Sequence, residues 1–460
     1  MQYSIEKSTL TSLADAIRDM DIRRNATTDP EIFVQHNFIS QAISPTVSTI
    51  RAYAFSSCYN LEVVEFPAAS YVGSHAFESC SKLSAVNLST CTEIGESAFY
   101  FAGNSITFNL GEVTTLGDYA LCGSFASIIE YGYNPWHFKV ESAPALNLSN
   151  VTSLGKFALA SRYVENVSLD SLTSLPDRSG WYYGDGSPFY SLYAPLSLPE
   201  LTYVGQYGFE GYCRCMSSMI DIHGSTVSLF DLTLPKCSYV GSIAFSDAAI
   251  HELNLPACTD LGYAAFMWGA GTYDRTDVEI INLPVLSSVP QGAFTRCAAR
   301  TLNLPGVSVI SLQDAMSECW VGTVNMPNLL TWTDVAESSI AMYSRVFGQI
   351  SVPACTTLSG RVYDRFNFTS GVLSLPAVTS IDYIDQRIKY NDQWGYDHGT
   401  LAWPLSSVYI GTSNCTLNSI NAAAPGSSFV IPDIYVPSSY VEDYKVANNW
   451  SVYASKIFGY

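Results

Sequence analysis

The stretch Leu61-Glu62-Val63-Val64-Glu65-Phe66-Pro67-Ala68-Ala69-Ser70-Tyr71-Val72-Gly73-Ser74-His75-Ala76-Phe77-Glu78-Ser79-Cys80 decides the fold. It is one copy of a phrase, loosely Val-Gly-x-x-Ala-Phe-x-x-Cys-x-x-Leu-x-x-Val-x-Leu-Pro, that runs down most of the chain. Ala54-Phe55, Ala76-Phe77 and Ala98-Phe99 are spaced by 22 residues, and Ala120-Leu121 keeps that spacing with Leu for Phe. The pair returns at Ala244-Phe245, Ala265-Phe266 and Ala293-Phe294. Self-similarity at such a period means stacked units, each burying its face on its neighbours. The chain therefore reads as an α/β-type repeat solenoid, mostly β, with a short N-terminal helix and a C-terminal cap.

Within one unit, the x-Leu-x-Leu-Pro run predicts a short strand. Glu252-Leu253-Asn254-Leu255-Pro256 and Thr301-Leu302-Asn303-Leu304-Pro305 are examples, with apolar residues alternating inward and the proline at the strand end because it has no donor. The Val-Gly-x-x-Ala-Phe run predicts a tight turn followed by a second short strand or helical turn. Ala lets the wall of the coil come close, and Phe fills its centre. Three regions follow: 1–44, a helix and attachment segment; 45–430, the solenoid; 431–460, a closing cap. In the first, Leu10, Leu13, Ala14, Ile17 and Met20 recur at helical spacing. A helix of about three turns is marginal alone in water, so it must dock on something. Leu10, Leu13, Ile17 and Arg18 are the expected attachment residues.

The strand-end positions Phe66, Leu88, Leu110, Leu148, Leu169, Leu198, Leu234, Leu255, Leu283, Leu304, Met326, Val352 and Leu375 mark the register. Five steps are long: Leu110 to Leu148, Leu169 to Leu198, Leu198 to Leu234, Leu255 to Leu283 and Met326 to Val352. A further insertion spans about 383–403. The extra residues are expected to leave the coil as loops, and they are rich in Tyr, Trp, Gly, Ser, Asn and Asp. Aromatic rings give rigid contact area, and the small polar residues adapt their hydrogen bonds. The expected ligand contacts are Tyr133, Trp136, Trp181, Tyr182, Tyr183, Trp268, Tyr273, Trp394 and Tyr396. The competing reading is that these rings pack over the coil and protect long loops.

Composition narrows the classes. Across 460 residues the formal net charge is -19, with 22 Lys plus Arg against 41 acids, and 48% of residues are hydrophobic. No long basic stripe can form, which argues against nucleic acid and against anionic membranes. The start carries no basic segment followed by an apolar one, so no secretory signal is expected, and no apolar stretch is long enough to span a bilayer. Of 12 cysteines, Cys58 and Cys80, and Cys297 and Cys319, are 22 apart, and Cys237, Cys258 and Cys355 share another repeat position. These read as buried thiols serving as small apolar side chains. Cys213-Arg214-Cys215 lacks the second pair or histidine that a metal site needs. The six histidines form no metal or catalytic spacing, and no phosphate loop or nucleophile elbow appears. Gly184-Asp185-Gly186 and the 392–397 stretch read as turns rather than calcium loops. No cofactor, metal or catalytic residue is expected, and the chain is read as a non-enzyme.

The repeat phrase resembles the BspA-type leucine-rich repeats, and the resemblance covers most of the chain. The end fits too: Ile434-Tyr435-Val436-Pro437, a short helical run, then Asn449-Trp450. The resemblance implies a surface or adhesion protein that binds proteins or glycans. Ser8-Thr9-Leu10-Thr11-Ser12-Leu13-Ala14-Asp15-Ala16-Ile17-Arg18 resembles the N-terminal segment of tail-associated proteins of phages of Gram-positive bacteria, although a usual Lys-Thr-Gly segment is missing over 19–28. Together the two resemblances imply a phage tail receptor-binding or tail-tip protein. It would be made in the host cytoplasm and carried on the virion. Its expected partners are a host-surface glycan or protein, other tail or baseplate proteins, and further copies of itself, a trimer by analogy. The alternative is a bacterial cell-surface adhesin or interaction scaffold, and a wall-glycan hydrolase ranks third.

Overall fold

The computed structural model describes residues 39–103, 105–123, 139–140, 144–180, 185–213, 220–221, 229–267, 278–311, 315–316, 319–333, 345–360, 362, 366–384, 386–391, 397–400, 404–419 and 428–460. The chain divides into two compact units. The first comprises Met1–Leu172, Pro188–Ser197 and Cys215–Val227; the second comprises Thr173–Ser187, Leu198–Arg214 and Ser228–Tyr460. The expected N-terminal helix lies outside the described residues.

The quoted stretch makes one complete turn of a parallel β solenoid. Leu61, Val64, Phe66, Ala69, Val72, Ala76, Phe77 and Cys80 are all buried, so each apolar position of the phrase faces the core. Val63–Glu65 is the first strand of the turn and Tyr71–Val72 the second. In the first unit, Gln41–Ile43, Val63–Glu65, Ala85–Asn87 and Thr107–Asn109 stack in parallel. Thr49–Ile50, Tyr71–Val72, Glu93–Ile94, Thr115–Leu116 and Ser153–Leu154 form a second parallel sheet.

The third side of each turn is neither strand nor helix. Its N–H groups alternate in their duty. Tyr53, Phe55 and Ser57 donate to the carbonyls of Ser74, Ala76 and Glu78 one turn on, at 3.0, 2.7 and 2.7 Å. Ala54, Ser56 and Cys58 instead close local bonds to Arg51, Tyr53 and Phe55, at 3.3, 3.2 and 3.1 Å. This alternation satisfies every donor of the segment. It requires a left-handed residue before each Ala and before each Cys: Tyr53 and Ser57 at φ 60° and 61°, His75 and Ser79 at 58° and 60°. Ile243 adopts φ 55° at the same place, a costly conformation for a β-branched residue that the ladder on both sides enforces. The phenylalanines stack along the core. Phe55, Phe77 and Phe99 have ring centroids 5.2 and 5.0 Å apart, and in the second unit Phe209, Phe245, Phe266 and Phe294 repeat the stack at 5.0, 5.7 and 5.5 Å.

In the second unit the first-strand sheet widens. Leu232–Thr233 has two residues, Ile250–Asn254 and Val278–Asn282 five each, Ala298–Asn303 and Trp320–Asn325 six each, and Arg345–Ser351 seven. The growth is at the N-terminal end, so the strands run longer than the x-Leu-x-Leu-Pro pattern predicts. One outward column carries Asn254, Asn282, Asn303 and Asn325, whose side-chain amides hydrogen-bond in a ladder at 2.7, 2.6 and 2.7 Å. The eleven described cysteines are buried. Burial pushes the thiols of Cys58, Cys237 and Cys415 up to about 12, so they act as apolar filling rather than as nucleophiles.

Described parts of three insertions form strands. Lys139–Val140 pairs in parallel with Ile220–Asp221 in the first unit, so two insertions share a small sheet. In the second unit, Gln386–Asn391 pairs antiparallel with both Asp397–Thr400 and Ser428–Val430. A strand is the economical answer to unsatisfied backbone groups in a long excursion.

Candidate functional site

Where the extra length leaves the coil defines the site. The leg from the first strand to the second is constant. Ile43 to Thr49, Glu65 to Tyr71, Asn87 to Glu93 and Asn109 to Thr115 are six residues each in the first unit, as are Asn254 to Asp260, Asn303 to Val309, Asn325 to Thr331 and Ser351 to Thr357 in the second. The return leg varies: Val72 to Ala85 takes 13 residues, Leu116 to Leu146 takes 30 and Ile381 to Ser407 takes 26. Inserted residues therefore enter only between the second strand and the next first strand. Most enter just before the N-terminal end of the next first strand, but those within 176–187 enter directly after the second strand Ser174–Leu175, ahead of the third side.

Each of the expected contacts, Tyr133, Trp136, Trp181, Tyr182, Tyr183, Trp268, Tyr273, Trp394 and Tyr396, falls outside the described residues, as do Leu10, Leu13, Ile17 and Arg18. Their flanks are informative. Gly180 and Asp185 exchange both backbone hydrogen bonds at 3.2 Å and close a neck around 181–184. The Asp185 carboxylate accepts from the Ser179 amide at 2.9 Å and its hydroxyl at 3.0 Å, and pairs with Arg178 at 3.4 Å. Partial burial works to raise the Asp185 pKa, but the Ser179 bonds and the Arg178 charge outweigh it and hold it below the usual carboxylate range. Asp185 is thus a structural clasp. For Trp394 and Tyr396, the antiparallel strands Gln386–Asn391 and Asp397–Thr400 flank the 392–396 tip.

The widened sheet adds a residue that the sequence reading passed over. Trp320 opens its strand in register with Ala298 and Val346 and is 50% exposed. Its indole meets no other ring and makes no hydrogen bond among the described residues. The other two described tryptophans, Trp332 and Trp450, are buried. Beside Trp320 lies the column His251, Glu279, Arg300, Gly322 and Gly348, placed by the pairing of Glu252 with Ile280, Thr301 with Ile280 and Thr323, and Thr323 with Gln349. At Gly322 an added Cβ would lie 2.5 Å from the Arg300 carbonyl oxygen, and at Gly348 it would strike that of Gly322, so backbone is left bare there. The column's other end is charged. Glu279 pairs with Arg300 at 3.4 Å, and the His251 Nδ1–H donates to Asp231 at 2.7 Å with Glu279 3.9 Å from Nε2. The hydrogen bond to Asp231, reinforced by the charges of Asp231, Glu279 and Glu252, raises the His251 pKa. A flat shelf results, with an unpartnered indole, exposed peptide groups and an exposed ion-pair row. The signal in the sequence was that Cys319 ends a turn, which puts Trp320 at the start of a strand. It went unread because Trp320 lies outside the aromatic-rich insertions. Among the described residues, no group of three or more His, Cys, Asp or Glu is placed to hold a metal ion, and no helix is long and apolar enough to cross a membrane.

Among the described residues these observations define a class: a mostly β fold whose units are stacks of parallel turns. Residues 27–134 match, in six copies, the family model described as BspA type leucine rich repeat region. Among solved structures, the chain is similar to a leucine-rich repeat protein from Bacteroides ovatus, with 14% identity over 92% of each chain and a TM-score of 0.33. It is also similar to a leucine rich cell surface protein from Faecalibacterium prausnitzii, with 16% identity over 66% of this chain and 83% of that one and a TM-score of 0.22. No curated protein matches the chain.

Proposed function

We propose that this chain is a non-catalytic recognition scaffold that binds a surface ligand, glycan or protein, along the insertion-bearing side of its turns. The observation that carries the reading is the split in each turn, one leg of fixed length and one that takes all the added residues. A scaffold that keeps its hydrogen-bonded ladder invariant while one side varies is how repeat proteins build binding faces. Trp320, exposed at the N-terminal end of a first strand, supports the same side. A cell-surface adhesin or interaction scaffold is the reading that the repeat family favours. The narrower reading, a phage tail protein attached through 1–44, rests on the resemblance of residues 8–18 alone.

The test is binding of the labelled full chain to a panel of Gram-positive cells, read by flow cytometry. Trp320→Ala is expected to weaken binding about tenfold or more while its melting temperature stays within a few degrees. Undiminished binding would remove Trp320 from the contact face. Release of soluble wall fragments on incubation would overturn the non-catalytic reading. Deleting residues 1–38 separates the narrower readings: loss from purified virions with cell binding retained supports tail attachment.

A further inference from the structure

A second, independent site lies at the C-terminal end of the second unit. The turn 413–418 and the segment 443–450 line an open cleft of about 470 Å³. That size suits a small-molecule site, for which about 300–1,000 Å³ is usual. Its floor is pinned by side chains whose polar atoms are already committed. The Tyr444 hydroxyl accepts from the Cys415 amide at 2.9 Å and donates to the Thr412 carbonyl at 3.0 Å. The Trp450 indole N–H donates to the Cys415 carbonyl at 2.8 Å, and the Asn449 amide donates to that of Leu417 at 2.7 Å. These bonds tie the two segments together at a fixed spacing beneath the cleft, so a ligand would meet a preformed surface.

The rim is the opposite. Ser413, Asn414, Asp443 and Asn448 are exposed, and among the described residues no hydrogen bond or ion pair engages their side chains. Two primary amides, a hydroxyl and a carboxylate thus line the cleft with no partner among the described residues. Among the described residues, no Lys or Arg lines the cleft. An anionic ligand would find no counter-charge there, and a chain of net charge -19 would repel it. A purely apolar ligand would leave the amide dipoles unpaired at a cost. A pyranose meets both conditions, because each amide offers a donor and an acceptor side by side to adjacent hydroxyls and the carboxylate accepts from a third. We propose that this cleft binds a neutral saccharide.

The experiment uses the full chain against an array of neutral oligosaccharides built on glucose, galactose and N-acetylglucosamine, followed by calorimetric titration of the best binder. The expected result is saturable binding that falls about tenfold or more in Asn414→Ala/Asn448→Ala. The melting temperature of that variant should be unchanged, because among the described residues neither side chain bonds to the protein. Trp320→Ala should leave this binding intact, which keeps the site separable from the shelf. Two results would overturn the proposal: no neutral oligosaccharide on the array binds, or the double variant binds as well as the parent.

Discussion

The two legs of a turn behave differently because they answer to different constraints. From Asn303 to Val309 every residue sits between two ladders, with Asn303 paired to Asn282 and Asn325 and Val309 to Thr331. Apolar side chains enter the core at Leu302, Leu304 and Val307. One added residue would shift every following side chain off its face. The return leg has no such rule, since its ends are fixed but its middle can leave the coil. The same chain thus holds a rigid rule and a tolerant one about ten residues apart, and function can vary only in the second.

The largest expected effect tests this directly. One alanine inserted after Val307 should cost at least about 4 kcal/mol or prevent folding, while one alanine inserted after Gly271 should cost less than about 0.6 kcal/mol. Urea unfolding of both variants decides it, and equal costs would break the comparison. Next comes Phe245→Ala, which empties the centre of the ring stack between Phe209 and Phe266. Its loss should be about 3–5 kcal/mol, because ladders on three sides stop the site from collapsing. A loss under about 1 kcal/mol would mean that the return leg is as pliable in its core as in its insertions. Asn303→Ala is milder. It breaks one ladder bond to Asn282 and one from Asn325, at 2.6 and 2.7 Å, and should cost about 1–2 kcal/mol by the same assay.

Legibility in the sequence followed the same division. The fixed leg was readable because its apolar positions are dictated residue by residue: Val64, Phe66, Ala69 and Val72 are each buried as the phrase predicts. The left-handed residues were not readable. Tyr53, His75, Ile243 and Ala264 share the conformation without sharing any property, since the ladder and not the side chain imposes it. The lengthened strands of the second unit were missed because their N-terminal growth falls on Trp320-Val321-Gly322 and Arg345-Val346-Phe347, outside the Leu-x-Leu pattern. Arg162 was also invisible. It sits in the core of the first unit with its guanidinium 5.4 Å over the Phe108 ring and its Nε donating to the Leu121 carbonyl, while burial pushes its pKa down to about 10. Nothing in the repeat phrase announces a buried cation at the position where earlier turns carry Cys58, Cys80 and Ala102.

The smallest expected effect concerns the charged end of the shelf, where the widened sheet gains side chains that no core demands. His251 lies opposite Glu279 on the next strand, with Asp231 and Glu252 beside it and Arg300 beyond Glu279. Its pKa is raised, so the folded protein holds the proton more tightly than the unfolded chain does. The resulting stabilisation is complete below the unfolded value of about 6.5 and is lost as pH rises through the higher folded value. The imidazole is exposed, so the gain is small and screened by salt. His251→Gln should therefore lower the urea midpoint slightly at about pH 5.5 and leave it unchanged at about pH 8.5. In the parent, the His251 ring proton followed by NMR should titrate above about 6.5. Titration below that value would mean that Asp231 does not hold the ring, and the charged row would then be a set of independent solvated side chains rather than one edge of a built surface.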